Sequence, residues 1–345
     1  MIQSHHIKGR QGASAIHVGA RLADIADYLP DQPLVIITDK NIQTHYAPAF
    51  PEAPVICIGT GERIKTLATV EFLLKALMAN GCDRSVFILG IGGGIVCDIT
   101  GFVASIFMRG VDFGFVSTSL LSQVDASVGG KNGVNVSAYK NMAGVFTQPR
   151  FVICDPTMLS TLPSSEISNG LAEIVKHALI ADADMLTFIE NNQTNALTLD
   201  PETIFHLVSR SVAIKARVVQ KDEKESGVRR KLNFGHTLGH AIEKLDPSGH
   251  GRAVSRGMVA AARFSCDRGL LTAQDTERII GLLQGLNLPT DLNFDAVKIC
   301  DAVVQDKKKH GDSVFFVFLE ALGSASVKKI HFTEIHAFIH SCFTG

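Results

Sequence analysis

At 345 residues the chain exceeds the size at which one hydrophobic core usually keeps growing, so two domains are expected. With 46% hydrophobic and 19% charged residues it is an ordinary globular sequence and not a disordered one. A formal net charge of -1 gives no whole-molecule field for nucleic acid or an anionic membrane, so any anion site must be local.

The segment Met1–Lys8 lacks the basic-then-apolar layout of a secretory signal, and no apolar run reaches the roughly 18 residues of a membrane span. A cytoplasmic protein is expected. The seven cysteines are odd in number and form no C-x-x-C pair, so they read as buried thiols.

Leu34–Thr38 and Ser85–Leu89 are short, continuous apolar runs of the kind found in buried parallel strands. Between them Leu67, Val70, Leu73, Leu74 and Leu77 repeat at helical spacing within residues 65–79. A parallel sheet with covering helices follows. Asp39, after the first run, is placed to accept ribose hydroxyls or to serve as a turn residue. The second run leads into Gly90-Ile91-Gly92-Gly93-Gly94, then Asp98 and a helical pattern through Ala104. Glycines at such a turn let backbone amides approach a diphosphate on the positive end of the helix, although the match to G-x-G-x-x-G is imperfect.

Phe113–Ser117 and Phe151–Asp155 are further strands. The stretch from Asp125 to Asn141 is rich in glycine, lysine and asparagine, which suits either a phosphate or polyol site or a surface loop. From Pro163 onward helical patterns take over: Ser164 or Ser165 caps a helix through Ile167, Leu171, Ile174 and Leu179, and Asp200-Pro201 opens another. On that helix Lys215 shares a stripe with Ile204, Val208, Ser211 and Val218, so it either meets a buried anion or snorkels to the rim. The basic run Lys221, Lys224, Arg229, Arg230 and Lys231 reads as a solvated face unless an anionic group lies beside it. Val314–Leu319 is expected as a lone strand and Thr333–Cys342 as a terminal helix. The boundary is expected near Asp155, giving an α/β domain over 1–155 and a mainly helical domain over 156–345.

Leu232 through His240 contains two histidines four apart, one helical face apart by about 5–6 Å between Cβ atoms. Spacing alone selects His236 and His240 as a ligand pair, and Glu173 and His250 supply further donors for a catalytic metal with an open position. Gly235 and Gly239 each precede a histidine at a cost of about 1 kcal/mol relative to alanine in a helix, which implies a close backbone approach there.

Taken in order, Gly92-Gly93-Gly94 with Asp98, Met108-Arg109-Gly110, Gln123 through Lys131, Lys140-Asn141, Gly170-Leu171-Ala172-Glu173, Lys215 with Asp222-Glu223, and the histidine segments resemble the 3-dehydroquinate synthases, sugar phosphate cyclases of the shikimate pathway. The resemblance covers nearly the whole chain. It implies a homodimer with an N-terminal NAD-binding, Rossmann-like α/β domain, a helical metal-binding domain and an active site in the cleft between them. The implied metal ligands, for zinc or cobalt, are Glu173, His236 and His250, and His240 becomes a catalytic, phosphate-contacting residue. Asp125, Lys131, Lys176, Lys215, Arg229 and Asn233 fall where the family holds the substrate's hydroxyls, carboxylate or phosphate, joined by Asn141 and Lys308. Arg109 matches an arginine that reaches across the dimer. NAD is expected to contact Asp39, Glu62, Lys65, Gly93, Gly94, Asp98, Thr118, Ser119 and Lys140.

The implied reaction turns 3-deoxy-D-arabino-heptulosonate 7-phosphate into 3-dehydroquinate and phosphate. Hydride passes to NAD, the new ketone acidifies the neighbouring C–H, phosphate leaves, hydride returns, and an intramolecular aldol step closes the ring. The chain departs from the family pattern at Arg252, where an acidic residue is usual, at Tyr139, where glycine is common, and in a short His240–His250 connection. A different sugar phosphate cyclase, a metal-dependent polyol dehydrogenase that releases reduced NAD, and a non-catalytic NAD-binding protein are the alternatives.

Overall fold

The computed structural model describes residues 1–9, 12–137, 139–246, 249–307 and 311–343. Lys308, an expected substrate contact, lies outside them. Two compact units emerge: Met1–Pro163 with Ile204–Lys224, and Ser164–Thr203 with Glu225–Gly345.

In the first unit, strands β1 (Gln3–Gly9), β2 (Gly12–Val18), β3 (Leu34–Asp39), β4 (Val55–Ile58), β5 (Phe87–Gly92) and β6 (Phe113–Ser117) join a later strand in one sheet. Two strands apart from it, β7 (Lys131–Val136) and β8 (Tyr139–Phe146), pair antiparallel, and the later strand of the main sheet is β9 (Phe151–Cys154). The main sheet runs β1-β2-β9-β6-β5-β3-β4 and is parallel except for the β1–β2 pair. β5, β6 and β9 are buried at every position, which is why their sequences are unbroken apolar runs. Ile36, Phe87, Leu89, Ile91, Val116 and Ile153 form the centre of one core, where Phe87 and Phe151 stack at 5.7 Å.

Helices α1 (Lys40–Tyr46), α2 (Leu67–Ala79) and α3 (Gly94–Ile106) link the strands. After β3 the chain moves outward to β4 and then returns to the other side of β3 as β5. Such a reversal opens a crevice beyond the carboxyl ends of β3 and β5, where ligands of open α/β sheets bind.

The second unit begins with α4 (Ser164–Ala181), α5 (Ala183–Asn191) and α6 (Gln193–Leu197). The next helix, α7 (Pro201–Lys221), starts there, but from Ile204 it belongs with the first unit. Its polar face is tied to β1: Ser209 hydrogen-bonds Gln3 at 2.5 Å and His5 at 3.1 Å, and Gln220 donates to the His6 carbonyl at 2.6 Å. The units therefore do not follow a single cut between residues 155 and 156. The rest of the second unit comprises α8 (His236–Leu245), α9 (His250–Asp267), α10 (Ala273–Gly285), α11 (Ala296–Lys307), β10 (Ser313–Ala321), β11 (Ser324–His331) and α12 (Phe332–Cys342).

The expected lone strand is instead one half of an antiparallel pair, β10 with β11. Its partner, Ser-Ala-Ser-Val-Lys-Lys-Ile-His, is too polar to announce itself. β10 is fixed to α9 by Phe264, whose ring lies 5.3 Å from Phe316, 5.2 Å from Phe318 and 4.2 Å from Phe338. Among the described residues, no helix is long and apolar enough to cross a membrane.

Candidate active site

Glu173 sits on α4 with its side chain fully buried and ion-paired to Lys176, one turn further along and itself buried. A carboxylate in such a place must keep a counter-charge, because burying an isolated ion costs many kcal/mol. Two histidines supply further polar atoms: Nε2 of His236 lies 3.5 Å and Nε2 of His250 lies 3.4 Å from Glu173 Oε1. One potential ligand atom from each of Glu173, His236 and His250 falls within 4.8 Å of the others. The group is closed at Glu173 and opens at His250, whose side chain is 29% exposed.

The glycines explain how this group is assembled. Gly235 has φ 77°, a left-handed conformation that glycine adopts at no steric cost, and it caps α8 instead of lying inside it. Gly239 does lie inside α8, where an added Cβ would stand 3.2 Å from the Ala253 carbonyl oxygen and the Val254 Cα. The close approach implied by these glycines is thus by α9, a neighbouring helix. That contact brings His250, the first residue of α9, beside α8, with its ring centroid 5.5 Å from His236 and 6.3 Å from His240.

The pair chosen by spacing, His236 with His240, gives way to His236 with His250; His240 lies beside the donor group, 5.3 Å from His236. Burial, opposed by Glu173, pushes His236 down to about 3, so its imidazole is neutral. For His250 burial is outweighed by the Glu173 and Glu243 carboxylates, which raise it to about 9. A cation placed among these donors would take over the role of that proton.

Around this group Arg229 is 2% exposed, in a short 3-10 helix spanning Val228–Asn233, and Asn233 donates to Glu225 Oε1 at 2.5 Å. The basic run divides accordingly, since Arg230 covers the Phe315 ring at 3.8 Å. Asn169 accepts from the Gly251 backbone amide at 2.9 Å and ties the start of α9 to α4. Arg256 bonds Asp246 at 3.0 Å and Asp291 at 3.1 Å, holding the end of α8 against α9. Asn169, Glu225, Glu243 and Arg256 were not singled out from sequence. Asn169 stands one helical turn before Glu173 and Glu243 two turns after His236, a spacing that could have pointed to both.

In the first unit, Thr38 donates to the Ile91 carbonyl at 2.8 Å and joins β3 to β5 at the crevice. Gly93 caps α3, and a Cβ on Gly94 would come within 2.9 Å of Ala126 Cβ. Lys65 forms an ion pair with Asp98 and donates to Asn141 Oδ1 at 2.6 Å. Asn141 in turn donates its amide to Asn135 at 2.8 Å, and Asn135 donates to Glu62 at 2.8 Å. Four of the expected residues, Glu62, Lys65, Asp98 and Asn141, are therefore one network.

Lys140 lines a cavity of about 280 Å³ with Glu62, Arg63, Thr66, Asn135 and Tyr139. Ser119 hydrogen-bonds Ser122 at 3.1 Å, and the Thr118 amide donates to the Gly92 carbonyl at 3.1 Å. Asp39 caps α1, its Oδ1 accepting from the amides of Asn41 and Ile42 at 2.9 and 3.0 Å. The 125–141 stretch is not a plain loop: Lys131 starts β7, and Lys140 and Asn141 lie on β8. Lys215 is buried and ion-paired to Asp125, so the anion it meets is a side chain of the protein. Arg109 is exposed, with φ 70°.

Burial, offset by Lys65, pushes the Asp98 carboxyl up to about 6. Unfolded, the same group loses its proton near 3.8, so between these values the folded chain holds the extra proton and stability falls as pH rises. Asp98→Asn is expected to remove about 3 kcal/mol of that pH dependence between pH 4 and pH 6. Urea denaturation at several pH values measures it, and parallel stability profiles for the two chains would refute the assignment.

A family model described as 3-dehydroquinate synthase N-terminal matches residues 55–169, and one described as 3-dehydroquinate synthase C-terminal matches residues 170–309. A 3-dehydroquinate synthase of Desulforamulus reducens is 40% identical over 332 residues, covering 91% of this chain and 92% of the relative. Among solved structures, 2-deoxy-scyllo-inosose synthase complexed with carbaglucose-6-phosphate, NAD+ and Co2+ is 26% identical, with a TM-score of 0.88 over 99% of this chain and 100% of that one. A 2-epi-5-epi-valiolone synthase from Streptomyces hygroscopicus with NAD+ and Zn2+ bound is 25% identical, with a TM-score of 0.86 over 97% of this chain and 98% of that one. With both halves matched and the full-length relative so similar, the chain belongs to the 3-dehydroquinate synthase family.

Proposed function

We propose that the chain converts 3-deoxy-D-arabino-heptulosonate 7-phosphate to 3-dehydroquinate and phosphate, as a cytoplasmic homodimer that uses NAD and zinc or cobalt. The observation that carries this reading is the convergence of Glu173, His236 and His250, with Glu173 fully buried and His250 partly exposed. One carboxylate and two imidazoles form the donor set of catalytic zinc with an exchangeable position, so the residues fit the ion. When bound there, the metal supplies Lewis acidity toward the hydroxyl to be oxidised. NAD, held at the glycine turn and by the Glu62, Lys65, Asp98 and Asn141 network, supplies a reversible hydride acceptor.

The remaining work belongs to the side chains. Lys176 pairs with Glu173 and supplies the counter-charge that this buried carboxylate needs. Arg229, Asn233, His240 and Lys131 offer donors for the substrate's phosphate and carboxylate, with Arg229 suited to bidentate contacts. Asp125 and Lys215 orient each other and present paired charges to substrate hydroxyls. Arg109, which is exposed, would serve the second copy of the chain in the proposed homodimer. Together these groups act by position and electrostatics.

A second reading, a cyclase acting on another sugar phosphate, is favoured by the two solved relatives with other products and by Arg252 and Tyr139. The test is incubation with NAD and 3-deoxy-D-arabino-heptulosonate 7-phosphate. Phosphate and 3-dehydroquinate are expected in equal amounts, lost with a chelator and restored by zinc. Phosphate release only from a different sugar phosphate would transfer the assignment to the second reading. Steady accumulation of NADH with glycerol, without phosphate release, would move it to a polyol dehydrogenase.

A further inference from the structure

His236 and His250 present the same atom, Nε2, to Glu173. Each therefore keeps Nδ1 pointing away from the donor group, and what meets that second nitrogen decides which tautomer the ring adopts. For His236 it is the Phe234 backbone carbonyl, 3.1 Å from Nδ1. For His250 it is Oε1 of Glu243, 3.7 Å from Nδ1. Both rings thus face an acceptor on the outer side, at hydrogen-bond distance for His236 and as a charge contact for His250, an arrangement that favours the proton at Nδ1 once Nε2 gives up its own to an ion.

The placement of Glu243 follows from the helix. His236, His240 and Glu243 occupy positions i, i+4 and i+7 of α8, one face of it, and this face is the one that meets His250 at the start of α9. The crossing is tight enough to hold that geometry, since Gly239 lies against the α9 backbone and Arg256 bridges α9 to Asp246 at the end of α8. Glu243 is largely buried, with 17% of its side chain exposed, so its carboxylate is directed by packing instead of wandering in solvent.

We propose that Glu243 is a positioning residue for the metal centre, orienting His250 and fixing its tautomer through Nδ1 so that Nε2 is available to the ion. The inference rests on the metal reading given above. In other sites, removing such an outer carboxylate lowers metal affinity about 10–100-fold.

The experiment measures zinc affinity of the purified full chain by competition with a chromogenic chelator, with circular dichroism as the check on folding. Glu243→Leu is expected to bind zinc about 10–100-fold more weakly. Glu243→Gln, which keeps a carbonyl oxygen as acceptor for Nδ1–H, is expected to recover most of that loss. Should the leucine variant fail to fold, the glutamine variant together with the ¹⁵N shifts of His250 in the zinc-loaded wild type still decides, because Nδ1 must carry the proton. Leucine and glutamine variants that bind zinc as tightly as wild type, or a His250 ring protonated at Nε2, would overturn the proposal. A wild-type chain that takes up no zinc would instead remove the metal reading on which it stands.

Discussion

His250→Ala is expected to lose zinc binding and at least about a thousandfold in turnover while NAD binding stays close to wild type. The reasoning starts from coordination number. With three protein donors at the site, loss of one leaves only Glu173 and His236, a set too small to hold a catalytic ion against water. The Lewis acidity that goes with the ion is worth several kcal/mol of barrier, and about 4 kcal/mol corresponds to that thousandfold. The glycine turn and the Lys65–Asp98 pair belong to the other compact unit, so they are left intact. Metal analysis, turnover and NAD titration on one preparation test all three statements. Joint loss of zinc and NAD in a folded protein would break the proposed division of labour.

Lys176→Met carries the second large effect, on stability. The Lys176–Glu173 pair is buried, with side-chain exposures of 2% and 0%. Removing one member of a buried pair strands the other charge and typically costs about 3–5 kcal/mol, whereas replacing both members can be neutral. The metal-free variant should therefore melt roughly 10 °C below wild type. Zinc should restore much of the difference, because a cation at the same carboxylate replaces the missing ammonium. Thermal melts of both chains, with chelator and with zinc, measure it. Equal melting temperatures without metal would mean that Glu173 does not depend on Lys176 for its counter-charge.

The parts of the fold that were legible from sequence are those whose chemistry is repetitive. β3, β5, β6 and β9 are buried on both faces and read as unbroken apolar runs, and α2, α4 and α7 show the 3.6-residue stripe. β1 was not legible because Ile7 is its one buried position among Gln, Ser, His and Lys. β7 and β8 read as loop for a related reason: Lys-Asn-Gly-Val-Asn-Val is held by pairing and not by apolar alternation. The partition of α7 between the units was hidden because its contacts, such as those of Ser209 and Gln220 with β1, are with residues more than two hundred positions away.

For the site, residue types were readable and partnership was not. Spacing saw His236 and His240 on one face, which is correct, yet the partner of His236 is His250. That pairing depends on the crossing of α8 and α9 at Gly239, a tertiary contact with no periodic trace in the sequence. Lys215 shows the same limit. Its buried stripe left a buried anion and snorkelling to the rim both open, because the partner, Asp125, lies ninety residues earlier.

The most direct test of the metal centre is anomalous diffraction at the zinc edge from crystals of the zinc-loaded protein. The expected result is one strong peak within about 2.0–2.2 Å of a Glu173 oxygen and of Nε2 of both His236 and His250. A peak bound to His236 and His240 but not to His250, or no peak at these side chains, would contradict the account.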